Sequence, residues 1–105
     1  MQTQETPPVS VHVVGGDAFV SVVGDLDLRL DDAFLTGLAS GISHAIVGIV
    51  VDLAACDFIG GRSSAAIRDA STFLESRGQT LEVRHAPASY GLMNGLVERT
   101  DASDG

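Results

Sequence analysis

The run Ala45-Ile46-Val47-Gly48-Ile49-Val50-Val51-Asp52-Leu53 constrains the fold of this chain more than any other stretch. Its β-branched residues favour an extended backbone, and it lacks polar alternation. It therefore predicts a central strand covered by helices on both faces or on one. Such a strand is expected to run parallel to a neighbour, and a parallel pair needs a long crossover, usually a helix. The flanking segments supply candidates for those helices.

Upstream, Phe34, Leu35, Leu38 and Ile42 recur at three- and four-residue steps, which predicts an amphipathic helix from Asp31, with Asp31 or Asp32 able to cap its first turn. Downstream, Ala66, Ile67, Ala70, Phe73 and Leu74 form a second helical stripe in a helix beginning near Ser63. Gly78 should stop it after Arg77 has met the negative end of the dipole. Toward the N-terminus, Val9, Val11 and Val13 alternate, Gly15-Gly16-Asp17 breaks the pattern, and Phe19, Val20, Val22 and Val23 resume it, which reads as a β-hairpin. "TLEVRHA" is a last strand closed by Pro87, and Leu92, Met93, Leu96 and Val97 give a short third helix. The order is ββαβαβα, an α/β fold whose mixed sheet has parallel core strands and crossover helices packed against it. The 105 residues, 45% of them hydrophobic, suit one domain over 9–98, between a flexible tail at 1–8 and a polar tail at 99–105.

Composition narrows the function. Six basic against fourteen acidic residues give a net charge of −8, so binding to a nucleic-acid backbone would oppose the overall field. Cys56 is the one cysteine, which excludes an internal disulfide framework, and the N-terminus lacks the basic-then-apolar form of a signal peptide, so the expected compartment is the cytoplasm. Ala45 to Leu53 is too short to span a bilayer, and no membrane segment is expected. His12, His44 and His85 fall on strand positions or strand edges, without metal-ligand spacing. No hydroxyl or thiol has a base motif beside it, so neither an enzyme nor a cofactor is expected. Cys56 reads as an inert buried thiol, with a redox-controlled disulfide between two chains as the other reading.

One turn is unusual in its chemistry. In "GGRSS", Gly60 and Gly61 free the backbone, Arg62 brings a charge, and Ser63 and Ser64 bring hydroxyls, all at a helix start. Glycines supplying unusual dihedrals beside a serine cap account for it structurally. It also has the composition of an anion cradle, though it lacks the spacing of a P-loop, and a small anion or nucleotide sensor is the corresponding functional reading.

The element order, "GDLDL" at 24–28, "IVVDLAACDFI" at 49–59 and the turn after it together resemble the STAS domain, in particular the stand-alone anti-sigma factor antagonists of bacteria. The resemblance spans roughly residues 9 to 98. Gly24 to Leu28 match a G-E/D-L-D-hydrophobic segment of that family, and Phe58-Ile59 match the start of its F-I/L-D-S-S/T-G-L turn. It implies a protein that binds an ATP-binding anti-sigma factor, frees a sigma factor and is switched off by phosphorylation within that turn. Laid over this chain without a gap, the aspartate falls on Gly60, the first serine on Gly61, the acceptor on Arg62, the glycine on Ser63 and the leucine on Ser64. The acceptor hydroxyl is missing, which leaves Ser63 and Ser64 as the possible shifted acceptors. The partner surface so implied comprises Asp25, Leu26, Asp27, Gly60, Gly61, Arg62, Ser63 and Ser64, in a monomer or weak dimer. A scaffold protein in a larger assembly, keeping the fold and lacking the switch, is the remaining alternative.

Overall fold

The structure, a computed structural model, describes residues 7–90. Strand β1 (Val9–Val14) and strand β2 (Asp17–Val23) form an antiparallel hairpin with Val14 opposite Asp17. Gly15 and Gly16 both have positive φ, at 61° and 89°, as a two-residue hairpin turn matching the strand twist requires. Helix α1 (Asp31–His44) carries the chain to strand β3 (Gly48–Ala55), and helix α2 (Gly61–Glu75) carries it on to strand β4 (Thr80–Arg84). Helical residues resume at Ala88–Tyr90; Leu92, Met93, Leu96 and Val97 lie outside the described residues.

The sheet order is β1-β2-β3-β4, with β2, β3 and β4 parallel. The order therefore advances in one direction, and two crossovers of the same hand leave both helices on one face. There α1 and α2 pack on each other and on the sheet. Ala18, Val20 and Val22 of β2 and Ile49, Val51 and Leu53 of β3 point to that face, meeting Phe34 and Leu38 of α1 and Ile67, Ala70 and Leu74 of α2. Each large apolar side chain buried here stabilises the fold by about 1.5–3 kcal/mol. The opposite face carries His12, Phe19, Val50 and Arg84. His12 stacks on Phe19 at 5.5 Å between ring centroids, the Arg84 guanidinium lies 5.9 Å from the same ring, and Val50 is only 5% exposed beneath this cover.

Several local expectations are corrected. The residue capping α1 is Leu30, without a side-chain cap, because the Asp31 carboxyl is turned inward. Helix α2 starts at Gly61 rather than near Ser63, and its cap is Gly60, again without a side-chain bond. It ends at Glu75, so Arg77 lies beyond its last turn; Gly78 (φ 76°) does occupy the reversal that follows. Phe73 leaves the buried stripe and is half exposed, with the Arg77 guanidinium 5.3 Å from its ring. The inward face of α2 instead runs Ser63, Ile67, Ala70, Leu74, positions that coincide on a helix of 3.6 residues per turn. His44 ends a helix rather than lying on a strand, its Nδ1 2.8 Å from the Ser40 carbonyl oxygen.

Candidate partner-binding site

The parallel strands β2 and β3 end on the same side of the sheet, and that end gathers the residues singled out by sequence. After β2 the chain turns at Gly24, whose φ of 109° excludes most side chains. A further bridge then forms beyond the named strands: Leu26 pairs in parallel with Ile59, the Leu26 N–H donating to the Phe58 carbonyl (2.8 Å) and the Gly60 N–H donating to the Leu26 carbonyl (2.9 Å). The acidic loop and the glycine turn are thus stitched together by backbone. Leu26 is fully buried, so it anchors the loop in the core and presents no side chain to a partner.

Asp25 is exposed and Asp27 half-buried, one on each side of that anchor. Asp27 is occupied locally. Its carboxyl accepts from the Arg29 N–H (3.0 Å) and pairs with the Arg29 guanidinium (3.2 Å), and these bonds hold its pKa below the usual carboxylate range. Its carbonyl accepts from Leu30 and Asp31, which leads the chain into α1.

At the start of α2 the two serines face inward. Ser63 is 0% exposed and donates its hydroxyl proton to Asp31 Oδ1 at 2.6 Å; Asp31 is itself buried. Ser64 is 1% exposed, and its hydroxyl has no hydrogen-bond partner among the described residues. As folded, neither hydroxyl is presented to a kinase or to a partner. Gly61 and Arg62 occupy the outer side of the same turn, and the Arg62 guanidinium reaches across to the exposed Asp32 carboxylate at 3.0 Å. Two links, one buried and one exposed, therefore join the first turns of α1 and α2.

Four exposed residues that sequence reasoning left out of the surface complete it: Leu28, Asp57, Phe58 and Asp32. Phe58 is the one that pattern alone concealed, because it sits in an apolar run yet is 43% exposed, while its neighbour Ile59 is fully buried. Period-two alternation at the Leu26 bridge could have revealed it. Cys56 is buried, its thiol donating to the Phe58 carbonyl oxygen at 3.1 Å, and burial pushes its pKa up. That places it on the inert reading of the thiol. The Ile59 N–H donates to Ser89 Oγ at 2.8 Å, which ties the turn to the segment after β4. Among the described residues no cluster of three or more His, Cys, Asp or Glu side chains could hold a metal ion, and no helix is long and apolar enough to cross a membrane.

The arrangement offers shape and charge; the Ser63 hydroxyl that meets the Asp31 carboxylate is fully buried, with no access from the surface. Apolar Leu28 and Phe58 and the carboxylates of Asp25 and Asp57 are all exposed on the two segments that the Leu26–Ile59 bridge joins, and Gly61 and Arg62 follow in the turn.

No family model and no curated protein sequence matches the chain. Solved structures do. The anti-sigma factor antagonist of Mycobacterium paratuberculosis superposes with a TM-score of 0.71 at 20% identity, covering 87% of this chain and 80% of that one. An antisigma-factor antagonist STAS domain from Rhodobacter sphaeroides gives 0.58 at 18% identity over 73% and 84%. The protein Mglu gives 0.60 at 25% identity over 72% of this chain, which spans only 19% of its length. The ββαβαβ order, the mixed sheet and the helix starting at the sheet end are accordingly those of the STAS fold, as it occurs in anti-sigma factor antagonists.

Proposed function

We propose that this protein is a binding module of the anti-sigma factor antagonist type: it docks on an ATP-binding anti-sigma factor and so releases a sigma factor. The observation that carries this reading is the Leu26–Ile59 bridge, which fixes the acidic loop and the Gly60–Arg62 turn side by side at the sheet end of a STAS fold. Asp25, Asp57 and Arg62 give the surface its charge, and Phe58 and Leu28 give it apolar anchors. Asp27, Gly60 and Gly61 shape the backbone between them.

On this reading the usual serine switch is absent. Arg62 stands where the acceptor hydroxyl would be, and a guanidinium cannot form a phosphate ester. Ser63 and Ser64 could accept phosphate only if the first turn of α2 opened, since both are buried. Association with the partner is then governed by supply of the two proteins rather than by phosphorylation of this one. The small-anion reading receives less support, because Arg62 is already paired with Asp32 and both hydroxyls are turned away from the turn's surface.

The test is titration calorimetry of the protein against the ATP-binding anti-sigma factors of its own organism, followed by intact-mass analysis after incubation with ATP. Stoichiometric binding with an unchanged mass is the expected result. Binding to none of them would overturn the antagonist reading. A gain of one phosphate would overturn the absent switch.

A further inference from the structure

The two edges of the sheet differ in a way that points to a second copy of this chain. Edge strand β4 is guarded by Glu82 and Arg84, which pair with each other at 2.8 Å, as edge strands in monomeric proteins commonly are. Among the described residues the other edge, β1, has no such guard. From Pro7 to Gly16 the chain contains no Asp, Glu, Lys or Arg, and of the four strands and the helices α1 and α2, β1 alone lacks a carboxylate, in a protein of net charge −8. Apolar side chains are exposed along it and at its end: Val13 at 45%, Val14 at 59%, and Ile46 and Val47 beside the hairpin turn.

The hairpin register determines which backbone groups look outward. Val14 and Asp17 close a two-residue turn and therefore form a hydrogen-bonded pair; alternation makes Ser10–Ser21 and His12–Phe19 hydrogen-bonded as well. The N–H and C=O groups of Val9, Val11 and Val13 then point away from β2. Beside them, between β1 and α1, runs an open groove of about 410 Å³ lined by Pro8, Val9, Val11, Ala33, Gly37 and Ser40, among others. Gly37 lets α1 lie close on β1, since a Cβ there would come within 2.8 Å of Val9 Cγ1.

We propose that β1 pairs antiparallel with β1 of a second copy about a two-fold axis at Val11. In that register Val9 faces the partner's Val13 and Val11 faces its counterpart, so every outward N–H and C=O of the three valines finds a partner. One interface residue set serves both copies, as an isologous contact requires. The small side chains on α1 leave room for the valines of the incoming strand. Charge selects a copy over the other surfaces of this protein, because this is the edge at which two acidic chains meet without apposed carboxylates. The antiparallel arrangement sets the two glycine turns at opposite ends of a continuous sheet, each open to its own partner. Pairing at this edge does not depend on what binds at the glycine turns.

Sedimentation equilibrium over micromolar to millimolar concentration tests this pairing, with Val13→Pro and Val13→Lys as variants. Val13 is half exposed and its N–H points outward, so proline there spares the bonds to β2. The expected result is a reversible dimer for the unaltered chain, with dissociation constants raised at least tenfold in both variants at unchanged circular dichroism. Hydrogen exchange at Val9, Val11 and Val13 should slow as concentration rises. A monomer throughout the range overturns the proposal, whether or not a strand of another protein then binds this edge. A dimer that both variants leave intact, or one without added protection at those amides, also overturns it.

Discussion

Ser63 and Ser64 are adjacent, equally buried and chemically identical, yet their hydroxyls have opposite energetic standing. Ser63 supplies the donor that a buried Asp31 oxygen requires, whereas Ser64 has been taken out of water without a hydrogen-bond partner among the described residues. Removing one partner of a buried hydrogen bond costs about 1–3 kcal/mol, because the other is left unsatisfied. Ser63→Ala should therefore lower the stability measured by urea unfolding by about that amount. Ser64→Ala deletes an unpaired polar group, and is expected to leave stability unchanged or raise it. A loss from Ser64→Ala as large as that from Ser63→Ala would show that Ser64 has a partner of its own. Residue type gave no hint of this difference. Both serines read equally well as caps or acceptors, and the packing of α2 against α1 decides which hydroxyl reaches Asp31. The apolar anchors were equally hidden: Phe58 and Ile59 look alike in sequence until the Leu26 bridge assigns one to solvent and the other to the core.

At the level of elements, local pattern carried most of the fold. The change from alternation to three-and-four spacing marked β1, β2 and α1, and the β-branched run placed β3 at the centre of the sheet. Boundaries were less legible, because they depend on backbone contacts between segments distant in sequence. Strand β3 starts only at Gly48, where the chain passes so close to β4 that a Cβ would run into the Thr80 carbonyl. Glycine there is a packing requirement rather than a turn. Gly48→Ala should force β3 and β4 apart at their first pair, costing about 1–3 kcal/mol as overpacking does. For a domain of this size each kcal/mol lowers the melting temperature by about 4–8 °C. Calorimetry should show that loss, while Gly61→Ala, whose Cβ would meet nothing within 4 Å, should be far milder.

For the whole molecule, charge is the property that composition stated most plainly and that the fold then distributes unevenly. A net charge of −8 favours encounter with a basic surface, and exposed Asp25 and Asp57 put two carboxylates at the sheet end. Complementary charge of this kind acts mainly on the rate of association and is screened by salt, with a Debye length of about 10 Å at 0.1 M. Single exposed charges contribute only about 0.2–1 kcal/mol each. Asp25→Asn with Asp57→Asn should therefore weaken binding to a basic anti-sigma factor by several fold, with the loss in the association rate and a flatter dependence on ionic strength. Phe58→Ala should act differently. Loss of a half-buried apolar anchor at the centre of a contact raises the dissociation rate and leaves the salt dependence unchanged. Surface plasmon resonance at two salt concentrations separates these outcomes. If both variants altered only the dissociation rate, Asp25 and Asp57 would belong to the desolvated centre of the interface rather than to its rim.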